Sequence, residues 1–459
     1  MSAPGRPLRV AVIGSGPAGF YAAGALLTAD PPAEVDLYDR LPAPWGLVRF
    51  GVAPDHPKIK DVSRAFEKIA ARSGFRFFGN VEVGRDITPE ELRGFYDAVV
   101  YSVGAQTGRH LGIPGEDLPG VWGATEFVAW YNGHPDFQDV PFDLDVEHAV
   151  VVGAGNVALD VARMLALTEE ELAPTDTTDA AIEAIVRSPL KEIVVLARRG
   201  PAQAAFTTPE LKEMGELAGA DIAVDPAELD LDAASAAFAE ADTNARRNME
   251  VLRELAARPP AGKPRLVRFR FCVSPVAVLG DARAEAVELV RNRLESDESG
   301  HVRAVATAER ETIPAGLVFR SVGYHGVALD GVPFDERRGT IPNEGGRVGE
   351  GVYCAGWIKR GPTGVIGTNK KDASETIELL LQDARAGRLP QAAQPDPAAP
   401  LELLVERGVE VVSYAGWEAL DDAEKAAGEP RGKPRVKRVT WDDLLAAARG
   451  EAGRPLSPA

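Results

Sequence analysis

Two glycine-rich segments of this chain have the residue spacing that lets a main chain approach a pyrophosphate. Residues 14–19 read GSGPAG, and residues 153–158 read GAGNVA. In such segments the first glycine permits a sharp turn, the second gives close access to phosphate oxygens, and the third position packs a helix onto a strand. Two such segments predict two dinucleotide sites on one polypeptide, an arrangement most often used to move a hydride between cofactors.

The first segment lies between a predicted strand and a predicted helix. Residues 8–13 are largely apolar, which is typical of a buried strand, and residues 20–27 are predicted to be helical. The N-terminus of that helix would present unpaired N–H groups to a phosphate. A second apolar strand ends at Asp39, where a carboxylate is expected to bond a ribose hydroxyl. The alternative interpretation is a structural glycine turn without a ligand.

The second segment has the same context but a different residue type after its second strand. Residues 149–152 and 193–197 predict strands, and the latter run ends in Arg198 and Arg199. Guanidinium groups bind phosphate oxygens in bidentate fashion, so this pair favours the 2′-phosphate of NADP over the ribose hydroxyl of NAD. The alternative is that the two arginines only solvate a strand end.

Length and composition set the broad class of protein. A chain of 459 residues exceeds one usual core, which predicts two domains, and a net charge of -18 argues against nucleic-acid binding. Cys272 and Cys354 are the only cysteines, too few for a disulfide framework, a cysteine metal site or a redox pair. No apolar run has membrane-spanning length and no signal peptide is evident. We therefore expect a cytoplasmic monomer without a metal ion or a membrane contact.

Four motifs, in order along the chain, carry a resemblance to a known family. They are residues 44–58 (PWGLVRFGVAPDHPK), 153–163 (GAGNVALDVAR), 197–201 (ARRGP) and 356–370 (GWIKRGPTGVIGTNK). Together they resemble the adrenodoxin reductase family, which includes bacterial ferredoxin:NADP reductases. The resemblance covers about residues 8–384, and the tail contributes little to it.

Alternating strand and helix patterns, with residues 351–371 interpreted as the chain returning to its first domain, predict an α/β fold with two Rossmann-like three-layer dinucleotide-binding domains, and the resemblance implies two domains as well. The implied ranges are 1–108 for the first part of an FAD-binding domain, 109–326 for an inserted NADP-binding domain, 327–390 for the second part of the FAD domain, and 391–459 for a linker and C-terminal extension that packs on the FAD domain. The implied activity is that of a ferredoxin:NADP(+) reductase: NADPH gives a hydride to FAD, and electrons then pass singly to a ferredoxin-type iron–sulfur protein.

The resemblance also implies site residues, carried over position by position. For FAD they are Gly14, Gly16, Ala18, Gly19, Asp39, Leu47, Val83 (in a strand beside the adenine), Trp357, Gly364, Val365 and Ile366. For NADP they are Gly155, Asn156, Val157, Ala158, Arg198, Arg199, Glu210 and again Gly364. A carboxylate near phosphate is unfavourable, so Glu210 would have to bond a ribose or hold an arginine.

Two further residues are candidates for tuning the reaction, although hydride transfer needs no acid–base triad. His56 lies in a proline-rich loop that the family places near the flavin, where an imidazole could tune the flavin potential or relay a proton. It could equally serve only to order its loop. Asp160 could pair with His56 only if the two domains close.

Docking of an acidic ferredoxin on this acidic chain requires a local basic surface. The candidate is a run of basic residues that begins at Arg246 and Arg247, where the family places its docking arginines, and continues through Arg253, Arg258, Lys263, Arg265, Arg268 and Arg270. A solvated helix face is the alternative. A second basic run, residues 431–438, could serve instead or have no role in docking.

Other functions remain open from the sequence. A relative of the glutamate synthase small subunit would carry a cysteine-rich iron–sulfur region, and a disulfide reductase would need a cysteine pair; this chain has neither. A flavin monooxygenase would not be expected to share residues 356–370. The acceptor could be a flavodoxin, and the chain could be a nucleotide sensor without turnover.

Overall fold

Strands and helices alternate along most of the chain. The computed structural model describes residues 6–297, 302–364 and 366–450. The helices are α1 Pro17–Leu27, α2 Leu47–Phe50, α3 Pro57–Lys60, α4 Ser63–Ala70, α5 Pro89–Phe95, α6 Ala124–Tyr131, α7 Asn156–Ala166, α8 Glu169–Leu172, α9 Asp179–Arg187, α10 Thr208–Met214, α11 Ala233–Ala241, α12 Thr243–Ala256, α13 Trp357–Arg360, α14 Ile366–Arg385, α15 Ala399–Glu406, α16 Tyr414–Gly428 and α17 Trp441–Ala448. The strands are β1 Arg9–Ile13, β2 Glu34–Tyr38, β3 Phe75–Phe78, β4 Ala98–Tyr101, β5 Thr107–Gly108, β6 Val121–Gly123, β7 His148–Val152, β8 Glu192–Ala197, β9 Ala220–Val224, β10 Arg265–Phe271, β11 Val273–Leu279, β12 Ala286–Ser296, β13 Val302–Pro314, β14 Leu317–Arg320, β15 Tyr324–His325, β16 Arg347–Gly349 and β17 Val352–Cys354.

The described residues divide into two compact units. The first takes its residues from 6–107, 132–138 and 324–450, and the second from 108–131 and 139–323. The domain boundaries predicted at 108, 326 and 390 stay predictions. The segment 132–138, which the sequence assigns to the inserted domain, groups with the first unit instead.

The first unit is built on a six-stranded sheet of order β16-β17-β4-β1-β2-β3. Its strands are parallel except for β16, which pairs antiparallel with β17. Strand β17 pairs with β4 in parallel, with Val352 opposite Val99. The chain beyond residue 323 therefore supplies strands to a sheet that begins at residue 9.

Both faces of this sheet are covered, as the burial of its strand β1 on both sides shows. Val10 and Val12 belong to a cluster with residues of α1, α14, α16 and α17, whereas Ala11 and Ile13 belong to a second cluster with residues of α5 and α15. Successive side chains of a strand point to opposite faces, so a continuous apolar run requires layers on both sides. The result is the three-layer arrangement expected from the sequence.

The second unit is built on a six-stranded parallel sheet of order β6-β14-β7-β8-β10-β9. Val150 and Val194 of this sheet pack in one cluster with Val287 and Leu289 of β12. Strand β12 is the centre of a separate antiparallel sheet of order β11-β12-β13. One outer layer of this unit is therefore an antiparallel sheet, which the sequence analysis does not predict.

The described part of the predicted linker and C-terminal extension folds into helices. It forms α15, α16 and α17, and the large apolar residues Trp417, Leu420 and Leu444 are at most 1 % exposed within the core of the first unit. Burial of each side chain of this size stabilises the folded state by about 1.5–3 kcal/mol. The extension is thus part of the core of the first unit.

In the described part of the chain, we find no helix that combines the length and the apolar character needed to cross a bilayer.

Candidate dinucleotide sites

The first glycine segment forms the turn between β1 and α1. A Cβ atom at Gly14 would lie 2.7 Å from the carbonyl oxygen of Ser102, and one at Gly19 would overlap the main chain of Gly14. These two glycines are thus required for close packing. At Gly16, in contrast, no other described atom lies within 4 Å of the Cβ position, so open space borders the main chain at the helix N-cap. This is the cradle that a pyrophosphate requires.

Asp39 follows β2 and holds this turn in place. Its carboxylate accepts hydrogen bonds from the main-chain N–H of Ser15 at 2.9 Å, the Ser15 hydroxyl at 2.5 Å and the N–H of Leu41 at 2.9 Å. Burial raises the pKa of the Asp39 carboxyl, although these bonds oppose the shift. The residue orders the turn, and its contact with a ribose stays a prediction.

The loop after β2 packs against the same turn and contains a strained tryptophan. Trp45 has a φ of 86°, donates its main-chain N–H to the Ser15 carbonyl at 3.0 Å, and is 5 % exposed. Its indole Nε1 is buried and has no hydrogen-bond partner among the described residues. Leu47 begins α2 and exposes 36 % of its surface. A buried orphan donor and an exposed apolar side chain beside a glycine cradle fit a large, partly polar cofactor.

The segment after β17 also reaches the first turn of α1. Gly356 has a φ of 79°, and a Cβ atom there would lie 2.6 Å from the Cβ of Ala18. Trp357 begins α13, is half-buried, and donates its indole N–H to the Thr363 carbonyl at 3.2 Å. The main chain at Gly356, the residue before Trp357, therefore packs closely against Ala18.

A helix follows the predicted FAD residue Gly364 within two positions. Gly364 has a φ of 81°, and α14 begins at Ile366. Val365 lies outside the described residues. The sequence analysis places Val83 in a strand, but in the structure it lies in a loop after β3, which already ends at Phe78. One isolated bridge links Val83 to Ile87.

The second glycine segment repeats the cradle between β7 and α7. A Cβ atom at Gly153, where φ is 141°, would overlap the carbonyl oxygen of Ser321, whereas the space at Gly155 is open among the described residues. Asn156 uses its side-chain oxygen to accept the Thr207 N–H at 2.8 Å. Val157 is half-buried, but Ala158 is completely buried and donates its N–H to the Gly155 carbonyl at 3.0 Å. The open part of the cradle therefore comprises residues 155–157.

Arg198 and Arg199 lie directly after β8 at the carboxyl end of the second sheet. Arg198 is exposed and Arg199 is half-buried. Burial lowers the pKa of the Arg199 guanidinium, and the positive charge of Arg198 lowers it further. Neither arginine forms an ion pair within the described part of the chain. Two adjacent cations without a counter-ion favour the binding of an anion.

Two predicted carboxylates of the second unit hold a buried arginine. Arg163 of α7, whose side chain is 2 % exposed, contacts Asp160 at 2.7 Å and Glu210 of α10 at 3.4 Å. Glu210 thus meets the condition, stated from the sequence, that it hold an arginine. His56 is half-buried just before α3, and its main-chain N–H donates to the Ala53 carbonyl at 3.0 Å. The roles of Asp160, Glu210 and His56 in the reaction stay predictions.

The basic run that starts at Arg246 does not form one surface. Arg246 and Arg247 are exposed near the start of α12. Arg265 instead donates to the Leu165 and Ile185 carbonyls, Arg268 pairs with Glu192, and Arg270 pairs with Glu228. Only the helical part of the run is therefore a candidate docking surface.

The prediction that the second basic run, residues 431–438, could be a docking surface is wrong, because most of its cations are buried. Lys433, Lys437 and Arg438 are buried at 5–7 % exposure. Arg435 contacts Asp421 and lies 3.3 Å from Glu424. These cations belong to a buried network in which polar partners offset their charge.

Sequence reasoning missed the ion-pair partner of Arg49, which lies two residues after the predicted FAD residue Leu47. Arg49, one turn after Trp45, forms a bidentate ion pair with Glu424 of α16 through bonds of 2.8 and 2.6 Å. The two side chains are 2 % and 0 % exposed. A single glutamate in a polar tail carries no signal for this pairing, whereas Arg49 inside an apolar motif could have raised the question of its counter-ion.

Comparisons with known proteins agree with this geometry. A family model described as pyridine nucleotide-disulphide oxidoreductase matches residues 8–192. The NADPH-ferredoxin reductase FprA of Mycobacterium tuberculosis is 50% identical over 453 residues, covering 96% of this chain and 99% of that protein. The mitochondrial NADPH:adrenodoxin oxidoreductase of Homo sapiens is 46% identical over 451 residues, covering 95% and 91%.

A solved structure gives the same result for the fold. The structure of Mycobacterium tuberculosis FprA in complex with NADPH is similar with a TM-score of 0.92 at 49% identity, and covers 97% of this chain and 100% of that one. The fold class and the family expected from the four motifs are thereby confirmed. This chain belongs to the family of NADPH-ferredoxin and NADPH:adrenodoxin reductases.

Proposed function

We propose that this protein is an NADPH-dependent flavoprotein that delivers electrons to a ferredoxin-type iron–sulfur protein. The observation that carries the proposal is that each compact unit has its own open glycine cradle, at Gly16 and at Gly155. The curated relatives named as NADPH-ferredoxin and NADPH:adrenodoxin reductases support it over nearly the whole chain. When bound, FAD supplies the conversion between the two electrons of a hydride and single-electron steps.

The residues of the second unit are suited to hold NADPH. We assign the pyrophosphate to the N-terminus of α7 at residues 155–157, because unpaired helix N–H groups favour a negative charge. We assign the 2′-phosphate to Arg198 and Arg199, because a dianion would relieve the repulsion between two guanidinium groups that form no ion pair with the described residues. Asn156 orders the neighbouring loop through Thr207.

The residues of the first unit are suited to hold FAD. Gly16 borders open space for the pyrophosphate, and Asp39 fixes the turn around it. The buried Trp45 Nε1 needs an acceptor, which a polar cofactor atom would provide. We place the ring system beside Trp357 and the N-terminus of α14, where the helix dipole would stabilise negative charge.

Arg246 and Arg247 are the proposed docking residues for the iron–sulfur partner. They are exposed on a chain whose net charge is -18, so they offer a local positive surface to an acidic protein. The partner surface, the assignment of a monomer and the cytoplasmic location are all proposals. The two free thiols, Cys272 and Cys354, are consistent with a reducing compartment.

The proposal is tested by reduction under anaerobic conditions. The purified protein should show a flavin spectrum that NADPH bleaches, and it should then reduce ferredoxins from a panel of acidic carriers with a rate that falls as salt increases. A colourless protein after reconstitution with FAD, or a flavin that NADPH does not reduce, would leave only the sensor alternative. Reduction of flavodoxin but of no ferredoxin would identify a different acceptor.

The docking residues are tested by charge reversal with a matched control. Arg246→Glu/Arg247→Glu should slow ferredoxin reduction and leave NADPH-to-ferricyanide turnover unchanged. The control is Arg303→Glu/Arg310→Glu, which reverses two exposed arginines on β13 of the same unit. Equal losses in the two double variants would show that net charge, and not this surface, governs the association.

A further inference from the structure

The main-chain carbonyl groups of Arg198 and Arg199 accept hydrogen bonds from residues in or next to the antiparallel sheet of the second unit. Asn292 of β12 donates its side-chain N–H to the carbonyl oxygen of Arg198 at 2.9 Å. The main-chain N–H of Cys272 donates to the carbonyl oxygen of Arg199 at 3.0 Å. The carbonyl groups of both arginines therefore have partners outside their own loop, and the peptide planes of the loop are fixed.

The fold brings these partners together where two parallel strands end. Strand β10 pairs with β8, and Phe271 lies opposite Ala197, the residue before Arg198. Cys272 has a φ of 55°, a left-handed conformation that is uncommon outside glycine, and there the chain leaves β10 and enters β11. The N–H of Asn292 donates to the Cys272 carbonyl at 2.7 Å. The strained residue is thus bonded to both the arginine loop and Asn292.

The side chain of Asn292 is itself rigidly placed. It is 6 % exposed, and its amide nitrogen also donates to the Ser274 hydroxyl oxygen at 2.8 Å. The pairing of β12 with β13 shifts register between Val290 and Asn292, and such irregularities redirect a side chain. A buried amide with two acceptors has little freedom, so it can fix the loop that it contacts.

We propose that Asn292 is a positioning residue for nucleotide specificity: by fixing the main chain of Arg198 it holds the guanidinium pair ready for a 2′-phosphate. The inference rests on the proposed function, in which Arg198 and Arg199 bind that phosphate. Bidentate binding depends on the orientation of each fork, and a loop that is ordered before binding loses less entropy on binding. Asn292 itself contacts no ligand in this scheme.

The experiment compares the dissociation constants of NADP+ and NAD+ for the FAD-loaded protein, measured from the perturbation of the flavin spectrum. Asn292→Leu keeps the branched shape and the number of side-chain heavy atoms, and it removes the donor. It should raise the dissociation constant for NADP+ by about three- to tenfold, which corresponds to the loss of one neutral hydrogen bond. The dissociation constant for NAD+ should stay unchanged. The control is Thr307→Val, which removes a hydroxyl that donates to the Arg291 carbonyl at 2.9 Å in the same sheet. This control should change neither constant.

A general loss of structure would weaken the binding of both nucleotides. The decisive quantity is therefore the dissociation constant for NAD+ divided by that for NADP+, which the proposal expects to fall. If Asn292→Leu does not fold, Asn292→Ser keeps a polar group and shortens the side chain out of reach of Arg198. An unchanged ratio in the folded variant would overturn the proposal. Arg198→Ala and Arg199→Ala separate the two levels: if they too leave the ratio unchanged, the assigned phosphate site fails, and if they lower it while the Asn292 variants do not, only the role of Asn292 fails.

Discussion

The buried ion pair between Arg49 and Glu424 should be among the most sensitive points of the first unit. Their side chains are 2 % and 0 % exposed and share two hydrogen bonds. Glu424→Gln would leave a buried guanidinium without its full counter-charge, and removing one partner of such a pair costs about 3–5 kcal/mol. That is a large part of a typical unfolding free energy of about 5–15 kcal/mol. Flavin should therefore be released at a clearly lower urea concentration in this variant.

A double-mutant cycle isolates the interaction itself. Arg49→Met should cost a similar amount, but Arg49→Met/Glu424→Gln should be more stable than the sum of both losses, because neither partner is then left charged and alone. The control is Asp61→Asn, which breaks an exposed pair with Arg64 at 3.1 Å and should change the midpoint little. Strictly additive effects of the two single variants would refute the reasoning, since they would mean that the pair contributes no coupling energy.

Three further predictions concern the first unit. Gly356→Ala should release FAD more readily than Gly361→Ala, because both positions have a positive φ but only at Gly356 would the Cβ meet another residue, at 2.6 Å; equal retention of flavin in gel filtration would contradict this. Burial opposes the shift, but neighbouring cations hold the pKa values of Glu424 and Asp421 below their usual range, so the stability they provide should be complete above about pH 5 and be lost as the pH falls further, measured as a urea midpoint. Burial lowers the pKa of His134 to about 4, so stability should already decline below about pH 6.5, and His134→Gln should remove this part of the decline.

Local pattern was sufficient to predict the elements that form the two cradles. The apolar runs at residues 8–13 and 149–152 became β1 and β7, each with bounds shifted by a residue, because strands buried on both faces need uninterrupted apolar sequence. The glycine at position 16 could be interpreted from its spacing alone, since the turn has few alternatives. The place of Arg198 and Arg199 directly after β8 was also predictable, because the apolar run at residues 193–197 predicts the strand that precedes them.

Residues whose role depends on distant packing could not be predicted. Glu424 is 375 positions from Arg49 along the chain, and its helix was not predicted because it lies in a tail that is polar on average. Strand β12 was missed although alternate residues such as Val287 and Leu289 are buried, since the flanking segments contain many charges. The assignment of Val83 to a strand was wrong because the resemblance fixes a position in the sequence and not its backbone geometry.

Asn292 and Glu424 share a physical logic that explains why the motifs do not include them. Ligand-binding loops follow the ends of parallel strands, where the main chain leaves the sheet and loses the partners of its carbonyl and N–H groups. In the second unit, Asn292 supplies a donor to such a carbonyl at Arg198; in the first, Glu424 neutralises a side chain of the loop at Arg49, and Lys437 donates to the carbonyl of Arg49 at 3.3 Å. Each comes from a later part of the chain, so a loop can keep the residues that face its ligand while its support is supplied by sequence that carries no recognisable motif.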